Sequence, residues 1–359
     1  MIQKLHSYLF FFLSLTLAGH GIESPPIENQ SYEVLTLGAA IIDHYFLISD
    51  AELKPISNEK GSWAPIDYTT FRAILDQRIG ASKIVMGGSG SNVIKGMAQL
   101  GDRCAIIGKI GNDEEGTYYI KNLKALGIVP LFEKGSLPTG QAICLITPDG
   151  ERTFRTYLGA SHSLSSLRLN DGIWSEKLKL FHIEGYQLFD QDLVLQVLKL
   201  AKEKKVKISL DLGNVEVVRR NKEFIYDILE KYVDILFCNE REARALTEKS
   251  ASESCDQLAP LCEIMVVTMG KRGSWIRKGN RKEFMEALSV NTIDATGAGE
   301  FYAGGFLHGY LNGDSLKKCA WLGALLSSYV VKRIGTEIPD SVWEEIRERI
   351  STEGKSFNE

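Results

Sequence analysis

The chain has no Cys-x-x-Cys pair among its six cysteines and no metal-ligand spacing among its six histidines. Neither a zinc site nor a thiol-redox centre is therefore expected. It also lacks a block of basic residues. Lys and Arg total 42 against 46 Asp and Glu, for a net charge of −4. The densest basic run, Lys202-Glu203-Lys204-Lys205-Val206-Lys207, reads as the solvated end of a helix before a strand. No nucleic-acid partner is expected. There is no Gly-x-x-x-x-Gly-Lys-Ser/Thr, which excludes a P-loop NTPase. No Gly-x-Gly-x-x-Gly follows the first strand-like run, which weakens a dinucleotide-binding reading. The apolar run Tyr8–Gly19 falls short of the roughly 20 residues that span a bilayer, so no membrane partner is expected either.

That N-terminal run still needs an explanation. Met1-Ile2-Gln3-Lys4 gives a basic start, and small residues follow the apolar stretch, the pattern of a secretory signal. The other reading is a translation start placed too early. Residues 1–30 are thus expected to be a signal-like or mis-started segment, with a linker at Ser24-Pro25-Pro26. Cys104, Cys144 and Cys238 lie in apolar, strand-like runs and read as buried free thiols. These suit a reducing cytosol, so a cytoplasmic location is expected, with secretion as the alternative.

The remainder has ordinary globular composition, 44% apolar and 25% charged. Residues 33–42 read as a strand, 46–63 as short exposed strands and turns, and 68–78 as a helix. Residues 91–100 read as a helix opened by a Gly-rich turn, 104–108 as a strand and 113–125 as a helix. The alternating stretches 141–147 and 152–158 are joined by Pro148-Asp149-Gly150, a hairpin signal. Beyond them, apolar strands at 178–184, 207–212, 235–238 and 264–268 intersperse with helices at 191–204, 222–232, 240–246, 300–311 and 316–333. The expectation is an α/β fold with a mainly parallel sheet covered on both faces.

The most informative stretch is Asp294-Ala295-Thr296-Gly297-Ala298-Gly299-Glu300-Phe301. Gly297 and Gly299 allow successive N–H groups to point one way, forming an anion-binding nest. The helix that follows brings its positive end to the same place. Glu300 sits beside the nest. A phosphate cradle next to a carboxylate base is the minimum apparatus for moving a phosphoryl group onto a hydroxyl. An acidic first turn is also what the helix dipole alone favours.

This stretch resembles the C-terminal signature of the PfkB/ribokinase family of sugar and nucleoside kinases. Three others resemble family motifs in the same order: Gly87-Gly88-Ser89-Gly90-Ser91-Asn92 with the helix after it, Asn239-Glu240-Arg241-Glu242, and Thr268-Met269-Gly270-Lys271-Arg272-Gly273. The resemblance covers roughly residues 33–345. Cues such as Thr147-Pro148-Asp149-Gly150-Glu151-Arg152-Thr153 and Glu184-Gly185-Tyr186 are similar to the bacterial adenosine-kinase-like branch. It implies a ribokinase-like three-layer sandwich over residues 31–350, with a small β lid from about 46–63 and 141–158. The implied activity is transfer of the γ-phosphoryl of MgATP to a primary hydroxyl of a nucleoside, adenosine-like, or of a sugar. Only a small-molecule partner is expected, with the protein a monomer or homodimer.

The resemblance also assigns residues. Glu300 would be the catalytic base, with the N–H groups of Gly297, Ala298 and Gly299 around the transferring phosphoryl. Asp43, Gly87, Gly88 and Asn92 would bind the acceptor. Asn239, Thr268, Gly270 and Gly273 would bind ATP, and Glu242 would meet Mg²⁺ through water. Asp294 and residues 333–335 would face a monovalent cation such as K⁺. Asn239 with Glu242, and Asn92, are equally what capped helix starts contain. One departure matters most: Glu300 stands where the family has Asp, and carries its carboxylate one methylene further. A misplacement on the order of 1 Å can cost about a hundredfold in rate. A compensating pocket, a slow enzyme and a non-catalytic nucleoside- or nucleotide-binding protein all remain open. So does a sugar kinase of the ribose or fructose type.

Overall fold

The computed structural model describes residues 31–78, 83–166, 169 and 171–357. The signal-like or mis-started segment at 1–30 lies outside the described residues. Nine strands form one sheet: β1 (Val34–Leu37), β5 (Cys104–Ile110), β6 (Val129–Lys134), β9 (Leu180–Glu184), β10 (Lys207–Asp211), β11 (Ile235–Asn239), β12 (Ile264–Thr268), β13 (Ser274–Lys278) and β14 (Arg281–Met285). Their order is β14-β13-β12-β11-β10-β9-β1-β5-β6. All pairings are parallel except those that add β13 and β14 at one edge.

Helices cover both faces. On one lie α5 (Gln191–Glu203), α6 (Val215–Lys231), α7 (Glu240–Thr247) and α8 (Ala251–Leu258); on the other, α3 (Ser89–Gln99), α4 (Glu114–Ala125), α9 (Ala298–Leu311), α10 (Leu316–Val330) and α11 (Asp340–Glu353). Side chains alternate across a strand, so neighbours in sequence enter different cores. Leu35 and Phe181 pack with α5 and α6, whereas Val34 and Leu180 pack with α9 and α10. Strands buried on both faces need continuous apolar runs, which is how they read in the sequence. The result is a three-layer α/β sandwich.

A second sheet has the order β3-β8-β7-β2-β4, from β2 (Ile41–Leu47), β3 (Trp63–Pro65), β4 (Lys83–Met86), β7 (Gly140–Ile146) and β8 (Arg152–Tyr157). The short helix α1 (Asp50–Leu53) and α2 (Tyr68–Asp76) accompany it, with Leu53 and Phe71 packed on Phe46, Ile143 and Leu145. Two details differ from the sequence expectation. Residues 33–42 form two strands separated by Gly38-Ala39-Ala40, so Asp43 lies within β2 rather than after the first strand. The 46–63 stretch supplies the end of β2, α1 and the first residue of β3.

Other elements gave little signal. β6 is an edge strand containing Pro130, a residue tolerated there because its missing N–H faces no partner. β13 and β14 carry Arg277, Lys278, Arg281 and Lys282, charges that protect a sheet edge and obscure alternation. α6 begins seven residues before position 222, with Asn214 as its N-cap and a kink at Asn221. Its first turns are rich in β-branched valine, but Val217 and Val218 are fully buried, and that packing overrides weak helix propensity. Among the described residues no helix is long and apolar enough to cross a membrane.

Helix α9 is held unusually close to α10. A Cβ on Gly305 would stand 2.5 Å from the Leu322 carbonyl oxygen, and one on Gly323 would stand 2.7 Å from that of Tyr302. Ala is the better helix former by about 1 kcal/mol. Even so, Gly305→Ala is expected to destabilise the fold by about 1–3 kcal/mol, because backbone atoms must move apart. A lowered midpoint in thermal or urea unfolding checks this; an unchanged one would contradict the packing.

Candidate active site

The parallel strands β1, β9, β10, β11 and β12 end on one side of the sheet, where open α/β sheets bind ligands. Their last residues, or those just beyond, are Ala39, Glu184, Asp211, Asn239 and Thr268, and all five line one cavity of about 420 Å³. The N-terminus of α9 supplies Gly297, Ala298, Gly299 and Glu300 to the same cavity; α3 supplies Ser89 and Asn92, and the second sheet supplies Asp43, Trp63, Arg152 and Phe154. A wider cleft of about 1360 Å³ adjoins it and shares Trp63, Arg152, Asn239 and Glu242. Only the smaller cavity holds Glu300 and the glycine turn, so the chemistry belongs there.

The glycine turn has the expected shape at Gly297, whereas Gly299 is an ordinary helical residue of α9 whose conformation does not require glycine. Gly297 has φ 79°, a left-handed conformation that a side chain would strain. Thr336 backs it closely, its Cγ2 only 2.7 Å from where a Cβ would be. The Ala298 N–H donates to the Ala295 carbonyl at 3.3 Å, and Phe301 N–H starts the helix ladder on Gly297 at 2.8 Å. The first-turn N–H groups, that of Gly299 included, have no carbonyl one turn back within the helix. Glu300 is half-buried at this end. Burial raises its pKa, against the pull of its own N–H, of Arg152 and Lys95, and of the Ser89 hydroxyl.

Asp43 is buried beside the Tyr45 hydroxyl, which donates to its Oδ2 at 3.4 Å. Burial pushes its pKa up to about 7; the Lys95 ammonium and Tyr45 oppose this, and Glu300 and Asp294 add to it. Gly87 does not line the cavity but leaves room for that carboxylate. Gly88 does line it, with φ 90° at the entry to α3.

On the opposite side Asn239 and Glu242 form a reciprocal cap. Asn239 N–H and Nδ2 donate to the two Glu242 carboxylate oxygens at 2.8 and 2.6 Å, and Asn239 Oδ1 accepts from Glu242 N–H at 3.0 Å. Both nonetheless face the cavity. Burial raises the Glu242 pKa to about 7, against the Asn239 N–H and with Glu300 repelling. Burial, with repulsion from Glu242 and Glu300, also holds Asp211 well above the usual carboxylate range. Desolvation and like charge both disfavour ionisation here, so the site suits a ligand that brings cations with it.

The remaining predicted residues lie around this core. Thr268 and Gly270 line the cavity, whereas Gly273 closes the turn behind them and accepts from Met269 N–H at 2.8 Å. Asp294 is fully buried outside the cavity wall. Its Oδ1 accepts from Thr296 N–H and Oγ1 at 2.9 and 2.6 Å, and its Oδ2 from Gly335 N–H at 2.9 Å, tying two loops together. Arg272 pairs with Glu240 at the surface. Among the described residues no cluster of three His, Cys, Asp or Glu side chains could hold a metal ion.

Sequence reasoning missed several residues here. Asp211 was findable, as a carboxylate ending an apolar strand. Glu184 bolts the turn after β1 to the start of α3, accepting from Ala39 N–H and Gly90 N–H at 2.8 and 2.6 Å. Arg152 sits in a quoted motif and Lys95 in the helix that follows another, but only folding brings their charges to Glu300.

A family model described as pfkB family carbohydrate kinase matches residues 66–343. The chain belongs to that family. Like other pfkB kinases it is a phosphotransferase acting on a sugar or nucleoside, and family membership implies use of ATP. A probable sugar kinase from Rhizobium etli is 30% identical, with a TM-score of 0.82 over 88% of this chain and 98% of its own. An adenosine kinase from Sinorhizobium meliloti is likewise 30% identical, with a TM-score of 0.82 over 88% and 99%. A nucleoside kinase from Methanocaldococcus jannaschii is 27% identical over 279 residues, 76% of this chain and 88% of its own.

A Cβ on Gly87 would stand 2.2 Å from Asp43 Oδ2 and 2.4 Å from its Cγ. Gly87→Ala is therefore expected to displace a buried carboxylate and cost about 1–3 kcal/mol. Chemical unfolding measures this; wild-type stability would show that Asp43 moves aside freely.

Proposed function

We propose that this kinase transfers the γ-phosphoryl of ATP to the primary hydroxyl of a nucleoside. The observation that carries the choice of nucleoside is an aromatic wall. The Trp63 ring packs against Tyr186 at 5.0 Å and stacks with Phe189 at 6.4 Å. Trp63, Phe154 and Tyr186 line the cavity that holds Asp43 and Asn92. A nucleobase has a flat face to set against such rings; a bare pentose does not.

In this reading Asp43 and Asn92 hold the sugar hydroxyls. Glu300 takes the proton from the attacking hydroxyl, and the Gly297–Gly299 turn donates N–H groups to the phosphoryl oxygens. Arg152 supplies positive charge from the second sheet, whose strands exclude water. Thr268, Gly270 and Asn239 hold the nucleotide. Glu242 and Asp211 are the residues that would meet Mg²⁺ through water, and the ion would supply charge neutralisation on the polyphosphate. Asp294, which ties residues 296 and 335, is the group a monovalent cation such as K⁺ would meet. The six cysteines are free thiols, which supports a cytosolic protein.

Glu300→Gln tests the chemistry. It removes the base but keeps the shape, so turnover is expected to fall by about a hundredfold or more, with nucleoside and MgATP affinities retained. In the wild type the base works when ionised. Its pKa is raised, so activity is expected to fall on acidification with a midpoint above that of an ordinary glutamate. Undiminished turnover in Glu300→Gln would remove Glu300 from the mechanism.

A further inference from the structure

The phosphotransfer steps above leave Lys95 without a role, although it is a lysine on α3 only 4% exposed. Its ammonium donates to three oxygens from three parts of the fold. These are the Met86 carbonyl at the end of β4, Asn92 Oδ1 at 2.9 Å, and Thr336 Oγ1 in the segment after α10 at 3.2 Å. An ammonium has three protons and no acceptor, so its capacity is filled.

That arrangement settles the Asn92 amide. Its oxygen and nitrogen are alike in shape, and their neighbours decide which points where. Lys95 can only donate, so the Asn92 atom beside it must be the oxygen. The Nδ2 pair is then the end left for the cavity that Asn92 lines. Asp43 lines the same cavity and, when ionised, only accepts. The acceptor end thus offers one donor and one acceptor, a match for neighbouring hydroxyls.

We propose that Lys95 is a positioning residue for the acceptor substrate, clamping Asn92 so that its amide N–H groups face the cavity and thereby setting affinity for a molecule with vicinal hydroxyls. The proposal rests on the kinase reading above. The groups whose charges act on Lys95 are Asp43 on β2, Glu300 on α9, Glu337 after α10 and, with like charge, Lys83 on β4. Burial pulls the lysine down to about 8 while the three carboxylates hold it up, so it stays charged at neutral pH.

A double-mutant cycle tests this through binding alone. Calorimetry would measure adenosine, cytidine, ribose and MgATP separately on wild type, Lys95→Met, Asn92→Ala and the double variant. Lys95→Met is expected to weaken acceptor binding about tenfold and leave MgATP affinity unchanged. Because Lys95 acts through Asn92, adding Lys95→Met to Asn92→Ala should cost nothing further. Losses that multiply in the double variant, or an equal loss for MgATP, would overturn the proposal. If the methionine variant does not fold, Lys95→Gln serves instead: it keeps a donor for the Asn92 oxygen, so it is expected to weaken acceptor binding less than Asn92→Ala does, and an equal loss would overturn the proposal. Wild type that binds none of the three acceptors overturns the kinase reading and takes this proposal with it.

Discussion

Helix α9 meets α10 backbone against backbone, and the site depends on that closeness. Gly305 and Gly323 remove the side chains that would separate the helices. Gly304 does the same toward α3, where a Cβ would be 2.6 Å from the Val93 carbonyl oxygen. The N-terminus of α9 is thereby set at the carboxyl ends of the parallel strands. The glycine turn and Glu300 follow from it, since the left-handed turn at Gly297 is where the helix begins. A shift of one packed helix would move the anion cradle and the carboxylate together.

Electrostatics sets the second constraint. Asp43, Asp211, Glu242 and Glu300 line one cavity, and burial raises the pKa of each. Lys95 and Arg152 are the positive side chains whose pull on Glu300 is felt most. Such a cavity, poor in positive charge, is expected to bind bare phosphate weakly. It suits a polyphosphate whose charge is already partly neutralised by a metal, alongside an acceptor that is neutral and rich in hydroxyls.

Much of this was legible in the sequence because one pattern served both fold and site. The strands of the central sheet read as apolar runs since both faces are buried, and the motif residues stand where those runs stop. The glycine at 297 announced a left-handed turn that no other residue makes as cheaply, whereas Gly299 has ordinary helical backbone and open space around it. What stayed hidden depends on long-range contact. The valines at 215–218 look unhelical until the core receives them. Asp43 sits inside a strand because Gly38-Ala39-Ala40 breaks a run that seemed continuous. Lys95 resembles any helix lysine until Met86, Asn92 and Thr336 close around it. The glutamate at 300 was visible as a departure; that it still faces the cavity beside the glycine turn required the folded chain.

The central claim is that this cavity joins a phosphoryl donor to a nucleoside hydroxyl. Its most direct test is to incubate wild-type protein with MgATP, K⁺ and, in turn, adenosine, cytidine, ribose and fructose, and to identify the products by mass. The account predicts ADP and a nucleoside 5′-monophosphate in equal amounts. A sugar phosphate with no nucleotide product would contradict the assignment of the aromatic wall. No phosphorylated product from any acceptor, with the protein folded and binding ATP, would contradict the phosphotransfer itself.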